Sequence, residues 1–296
     1  QTAPALSEVI KNGLNKYSDS LKSKLIMQTY DGAAVMSGHI NGLQTLIRQD
    51  YPFAFFFHCA AHRLNLVLCQ SALNIKEVKL FFSKISAFCT FSKPSSDRKA
   101  HFNAYGVDIP NPGETRWYYK SRTVKAISQG FDVIKIALTE ITDNPQNWSD
   151  ETVEKADGLL HSLECFLLCF LLELYFKILQ KSSILYDILQ DRSVHFSYAV
   201  DKMHDFSKHL CDAQAGGAPS TRSEQAINYK SLYFEVIDNI VAMTENRFCD
   251  VESFPFFDLV NPKIFPQWVD GTVLADKIQQ LTEKYIQVDD LGKILP

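Results

Sequence analysis

At 296 residues, 46% hydrophobic and 22% charged, the chain has the length and apolar content of one large globular domain or two modest ones, which excludes a disordered, collagen-like or small disulfide-stapled protein. Its 21 Phe and 12 Tyr set against 12 Gly and 11 Pro favour long helices over a turn-rich sandwich. A formal charge of −4 and a pI near 6.1 exclude a globally basic polyanion binder, so any nucleic-acid surface has to be a local patch.

The apolar pattern changes character along the chain. Leu6, Val9, Ile10 and Leu14 recur at helical spacing and predict a first helix over 4–17. Residues 24–30 are short and apolar and end in Asp31-Gly32, the pattern of a buried strand whose carboxyl end delivers an aspartate. A helix is expected over 33–48, with a break at Gly38 and Gly42. The run Pro52-Phe53-Ala54-Phe55-Phe56-Phe57-His58 reads as a second buried strand, leading into a helix with Leu64, Val67 and Leu68 on one face. Helix, strand, helix, strand, helix is the order of an α/β layer.

Beyond Ile75 the period is helical throughout. A helix is predicted over 75–91, then a polar connection over 92–114 and one or two helices over 117–139. A pair of long helices over 151–210 is expected to break near Lys181-Ser182-Ser183. An Ala- and Gly-rich linker at 211–221 precedes an amphipathic helix over 222–248. A Pro- and Phe-dense irregular segment over 249–268 and a last helix over 270–285 complete the reading. The expected division is an α/β portion at 1–74 and an all-α region at 75–296.

The chain opens on Gln1 with no basic-then-apolar leader, so a piece of a longer protein is expected. Seven scattered cysteines, an odd number, read as reduced intracellular thiols. The most apolar run, 159–172, contains His161 and Glu164 and is shorter than the roughly 20 residues a membrane span needs, so it reads as a buried helix.

Three motifs carry chemistry. Asp31, at the carboxyl end of a strand, faces the crevice where open α/β sheets bind ligands and suits a Mg²⁺ ligand, while its local sequence favours a cap on the following helix. His58-Cys59-Ala60-Ala61-His62 places Cys59 and His62 at a spacing used by zinc sites, but no second pair occurs, and a buried thiol beside a hydrogen-bonded imidazole is the competing reading. Arg116-Trp117 sets a phosphate-binding cation beside a ring that can stack on an unpaired base, or else a core anchor beside a paired cation. On the apolar helix, Cys165 and Cys169 read as core, and Glu164 and Glu173 as solvated or paired.

The order of these motifs is more specific than any one of them. The runs Gln28-Thr29-Tyr30-Asp31-Gly32-Ala33-Ala34, Phe57-His58-Cys59-Ala60-Ala61-His62-Arg63 and Glu114-Thr115-Arg116-Trp117, followed by Glu245-Asn246-Arg247-Phe248, resemble the hAT superfamily of DNA transposases. They are most similar to the transposase-derived region of MYM-type zinc-finger proteins and their relatives with a TTF-type zinc finger. The resemblance implies an RNase H-like core interrupted by a large helical insertion, here incomplete but predominantly helical overall. It implies a nuclear, DNA-binding protein of domesticated-transposon origin. Intact relatives use two Asp and one Glu to hold Mg²⁺ or Mn²⁺ for attack on a phosphodiester.

By motif position Asp31 resembles the second aspartate, His62 a histidine near the active site within the Cys59 motif, and Trp117 with Arg116 the tryptophan that supports DNA hairpin formation. No counterpart of the first Asp or the final Glu is recognisable, nor any Cys/His cluster like the DNA-binding zinc finger. The chain is therefore expected to be catalytically inactive, to need no cofactor, and to bind DNA weakly. The alternative is a domesticated protein–protein interaction module in a nuclear regulatory complex, or a homo-oligomer, using the helical region and a patch of Phe254, Phe256, Phe257, Phe265 and Trp268. A zinc enzyme built on Cys59 and His62 is a third reading.

Overall fold

A computed structural model describes residues 2–17, 25, 27–110, 117–191, 193–194, 196–215, 224–249, 276 and 279. Among them are twelve α-helices and one parallel two-stranded sheet, the predominantly helical fold that the composition predicts. Two compact units are present. One takes Gln1–Arg63 with the described parts of Arg192–Asp201 and Asn246–Pro296, and the other takes Leu64–Asp191 with Lys202–Glu245. The first stretch of the α/β unit ends at Arg63. The helix after the second strand begins in the first unit, but its apolar face of Leu64, Val67 and Leu68 is buried as part of the helical one.

In the α/β unit, α1 (Ala3–Leu14) starts with Pro4 in its first turn, where a missing N–H costs nothing. Strand β1 (Met27–Tyr30) is followed by the short α2 (Ala34–Ser37), α3 (Leu43–Asp50) and β2 (Phe55–His58). The strands pair in parallel, Met27 opposite Phe55 through Tyr30 opposite His58, so their carboxyl ends finish level. Leu43, Ile47, Tyr51 and Ala54 form the core with Ala3, and Leu6, Ile10 and Leu14 of α1 close over it. Val9 does not join that face and is 70% exposed.

Both strands are shorter than predicted. Pro52 and Phe53 lie in a turn, closed by the Ala54 N–H donating to the Tyr51 carbonyl at 3.0 Å, because proline has no donor for a ladder. The predicted break at Gly38 and Gly42 is present. A Cβ on Gly42 would lie 2.4 Å from the Gly38 backbone, so only glycine lets the two turns meet.

The helical unit contains most of α4 (Ala60–Asn74), then α5 (Lys76–Ser92), α6 (Ser96–Ala104), α7 (Trp117–Gln129), α8 (Phe131–Asp143), α9 (Asp150–Glu164) and α10 (Phe166–Gln190). Most of α11 (Phe196–Ala215) and α12 (Glu224–Phe248) completes it. Its core is aromatic and aliphatic. The buried Tyr175 ring stacks on Phe81 at 5.6 Å and meets Phe82 edge-on at 4.9 Å, with Phe88, Ile127, Leu138 and Leu163 fully buried.

Three expectations are corrected here. The polar connection contains α6, started by the Ser95 hydroxyl accepting from the Arg98 N–H and anchored by buried Phe102. The long pair breaks at Cys165, which takes an extended conformation, and not at Lys181-Ser182-Ser183. There the small serines are a packing surface: the Ser182 hydroxyl donates to the Leu179 carbonyl, and Ser183 and Ser121 of α7 share a 2.8 Å hydrogen bond. Residues 211–215 of the expected linker belong to α11, and 216–221 lie outside the described residues, as do nearly all of 249–268 and 270–285. The apolar run 159–172 is split between α9 and α10, and among the described residues no helix is long and apolar enough to cross a membrane.

Candidate functional site

The level ends of β1 and β2 create the site. The Cys59 N–H donates to the Tyr30 carbonyl at 2.8 Å, extending the ladder one step past the strands. Asp31-Gly32 and Cys59 therefore leave the sheet side by side, and the first turn of α4 places His62 over the same end. A Cβ on Gly32 would stand 3.6 Å from both His58 Nδ1 and His62 Nε2. The two imidazoles thus flank one exposed, side-chain-free point, at the position where α/β sheets present ligands.

Asp31 is exposed, and its Oδ1 accepts from the Ala33 N–H at 3.2 Å. That is a turn closed on its own backbone, one step before the helix proper, so the capping reading is met only in this local form. Ser37 donates to the Gly32 and Ala33 carbonyls and fixes the loop from the other side. Beneath it, Gln28 of β1 is buried and its amide donates to the Gln44 and Ala54 carbonyls at 3.1 and 2.8 Å. Burial raises the Tyr30 phenol above its ordinary value, so this ring, stacked with Phe56 at 6.2 Å, stays neutral.

Two contributors escaped the sequence reading. His58 was legible as the strand's last residue, but its pairing with Tyr30 needs the register. Arg63 is 6% exposed, lies over the Phe57 ring at 4.7 Å and donates to the Arg247 carbonyl at 2.8 Å. The contact joins two stretches of the motif order, 184 residues apart. Arg116 and the Trp117 side chain lie outside the described residues; the Trp117 backbone opens α7, in the helical unit. All seven cysteines are free. Cys165 and Cys169 are half-buried rather than core, and Glu164 and Glu173 are exposed and paired with Lys135 and Lys177.

The described residues at the strand ends do not fit a two-metal carboxylate centre. The groups beside Gly32, next to Asp31 at the strand ends, are the His58 and His62 imidazoles, whereas Mg²⁺ demands oxygen ligands. Among the described residues, no three His, Cys, Asp or Glu gather as a metal-holding group. No protein-family model matches the chain, and no solved structure matches its fold.

Proposed function

We propose that this chain is part of a hAT-like, transposase-derived nuclear protein. Its α/β unit is the remnant of an RNase H-like core and its helical unit the corresponding insertion. One observation carries the reading: motif residues far apart in sequence, Asp31 with His58, Cys59 and His62, and Arg63 with Arg247, meet within the α/β unit, the first group at the ends of two parallel strands. A conserved chemistry of cleavage is not part of the proposal. One exposed carboxylate cannot hold two cations in line with a phosphodiester. The role that remains is weak contact with DNA, in which Arg116 meets phosphate and Trp117 stacks on an unpaired base.

The test is fluorescence anisotropy with hairpin-ended duplex DNA. Affinity is expected to fall as salt rises and to drop in Trp117→Ala and Arg116→Ala. In Mg²⁺ or Mn²⁺ the chain should leave the same DNA uncut, and cleavage abolished by Asp31→Ala would overturn the assignment of inactivity. Absence of salt-sensitive DNA binding, with stable capture of a protein partner, would replace this reading by the interaction module.

A further inference from the structure

Within the helical unit, α10, α11 and α12 enclose a cleft of about 650 Å³. Its floor is one stripe of α10: Phe166, Cys169, Phe170, Leu174 and Ile178, with Lys181 closing the row. At 1.5 Å per residue, the stripe from Phe166 to Lys181 is about 22 Å long. Leu210 of α11 and Tyr233 and Ile237 of α12 supply the walls. The trough is therefore long, narrow and apolar, the shape of an extended hydrocarbon chain rather than of a compact ring system.

Its charged lining is unbalanced. Glu173 is neutralised by Lys177 one turn on, at 3.0 Å. Lys181 and His209 line the same cleft, both exposed, and neither has a hydrogen-bond or ion-pair partner among the described residues. Once the Glu173–Lys177 pair cancels, the lining carries the lysine's positive charge, which favours an acidic head group.

We propose that this cleft binds a long-chain monocarboxylate, its chain along the α10 stripe and its carboxylate against Lys181 and His209. The site is independent of the strand-end cluster and of the transposase reading.

The experiment uses the full chain and cis-parinaric acid, a fatty acid whose fluorescence rises in apolar surroundings. Saturable one-to-one binding is expected. Lys181→Glu and the methyl ester of the probe should each weaken it roughly fivefold, the size of an exposed ionic contact. Phe170→Asp should abolish saturation without changing the far-ultraviolet circular dichroism. Lack of saturable binding by the unaltered chain overturns the proposal. So does equal affinity for acid and ester together with an unaffected Lys181→Glu variant, which would mark indiscriminate apolar adsorption. Should Phe170→Asp fail to fold, the ester and Lys181→Glu comparisons decide the matter alone.

Discussion

In the α/β unit the Gln28 amide clamps the backbone carbonyls of Gln44 and Ala54, Gln44 donates to Ser37 and Thr45 to Gly38, and Gly38 and Gly42 meet backbone to backbone. In the helical unit the equivalent positions are filled by rings: Phe81, Phe82, Phe88, Phe91, Phe102 and Tyr175. The first unit fixes a loop by directional polar contacts around a small core, and the second fixes helices by filling volume. Directional contacts hold a strand end and its side chains to one geometry. Volume filling tolerates a groove on its surface, as along α10.

That contrast is broken most directly by emptying the larger core. Phe88→Ala deletes a ring that is 1% exposed and should cost about 3–5 kcal/mol. Urea unfolding followed by circular dichroism would read this as a fall in midpoint of the helical signal. A loss below about 1 kcal/mol would show that the site collapses and that volume is not what holds this unit.

The α/β unit should respond instead to a single methyl group placed at a backbone contact. Gly42→Ala puts a Cβ 2.4 Å from both N and O of Gly38, and neither atom belongs to a flexible side chain. The two turns must separate, at about 1–3 kcal/mol. Gly32→Ala is the paired control, since its Cβ meets the imidazoles at an ordinary 3.6 Å. Equal stability of the two variants would show that the Gly38–Gly42 approach is dispensable.

How much of this was legible in the sequence follows the same division. Period and composition are local, so helix order, the glycine break and the strand-then-aspartate pattern could be read from neighbouring residues. Register is not local, and the meeting of His58 and His62 beside Gly32 rests on Met27 facing Phe55 across the sheet. The burial of Arg63 could not be read locally, because its partner carbonyl is supplied only when the chain returns at Arg247. Ser182 and Ser183 read as a helix break because serine competes for backbone hydrogen bonds, but packing against α7 overrode that preference. Helix α6 was missed because its run is polar and only Phe102 is buried, although Ser95 followed by Asp97 is a start signal. Ser95→Ala tests that signal, with a loss of about 1 kcal/mol expected on urea unfolding. An unchanged midpoint would assign the start of α6 to the Phe102 anchor alone.

The smallest effect should come from an ion pair that joins α1 to α3. Lys11 Nζ lies 2.6 Å from Asp50, with side chains 26% and 48% exposed, so water and salt screen most of the attraction. Lys11→Met keeps most of the aliphatic stem and removes the charge. It should cost about 0.2–1 kcal/mol at low salt, and the difference from the unaltered chain should shrink as salt is added. No loss at low salt would mean that the stem's packing, not the charge, secures α1. The rule that polar contacts hold the α/β unit would then extend to the buried clamps around Gln28 but stop short of its surface.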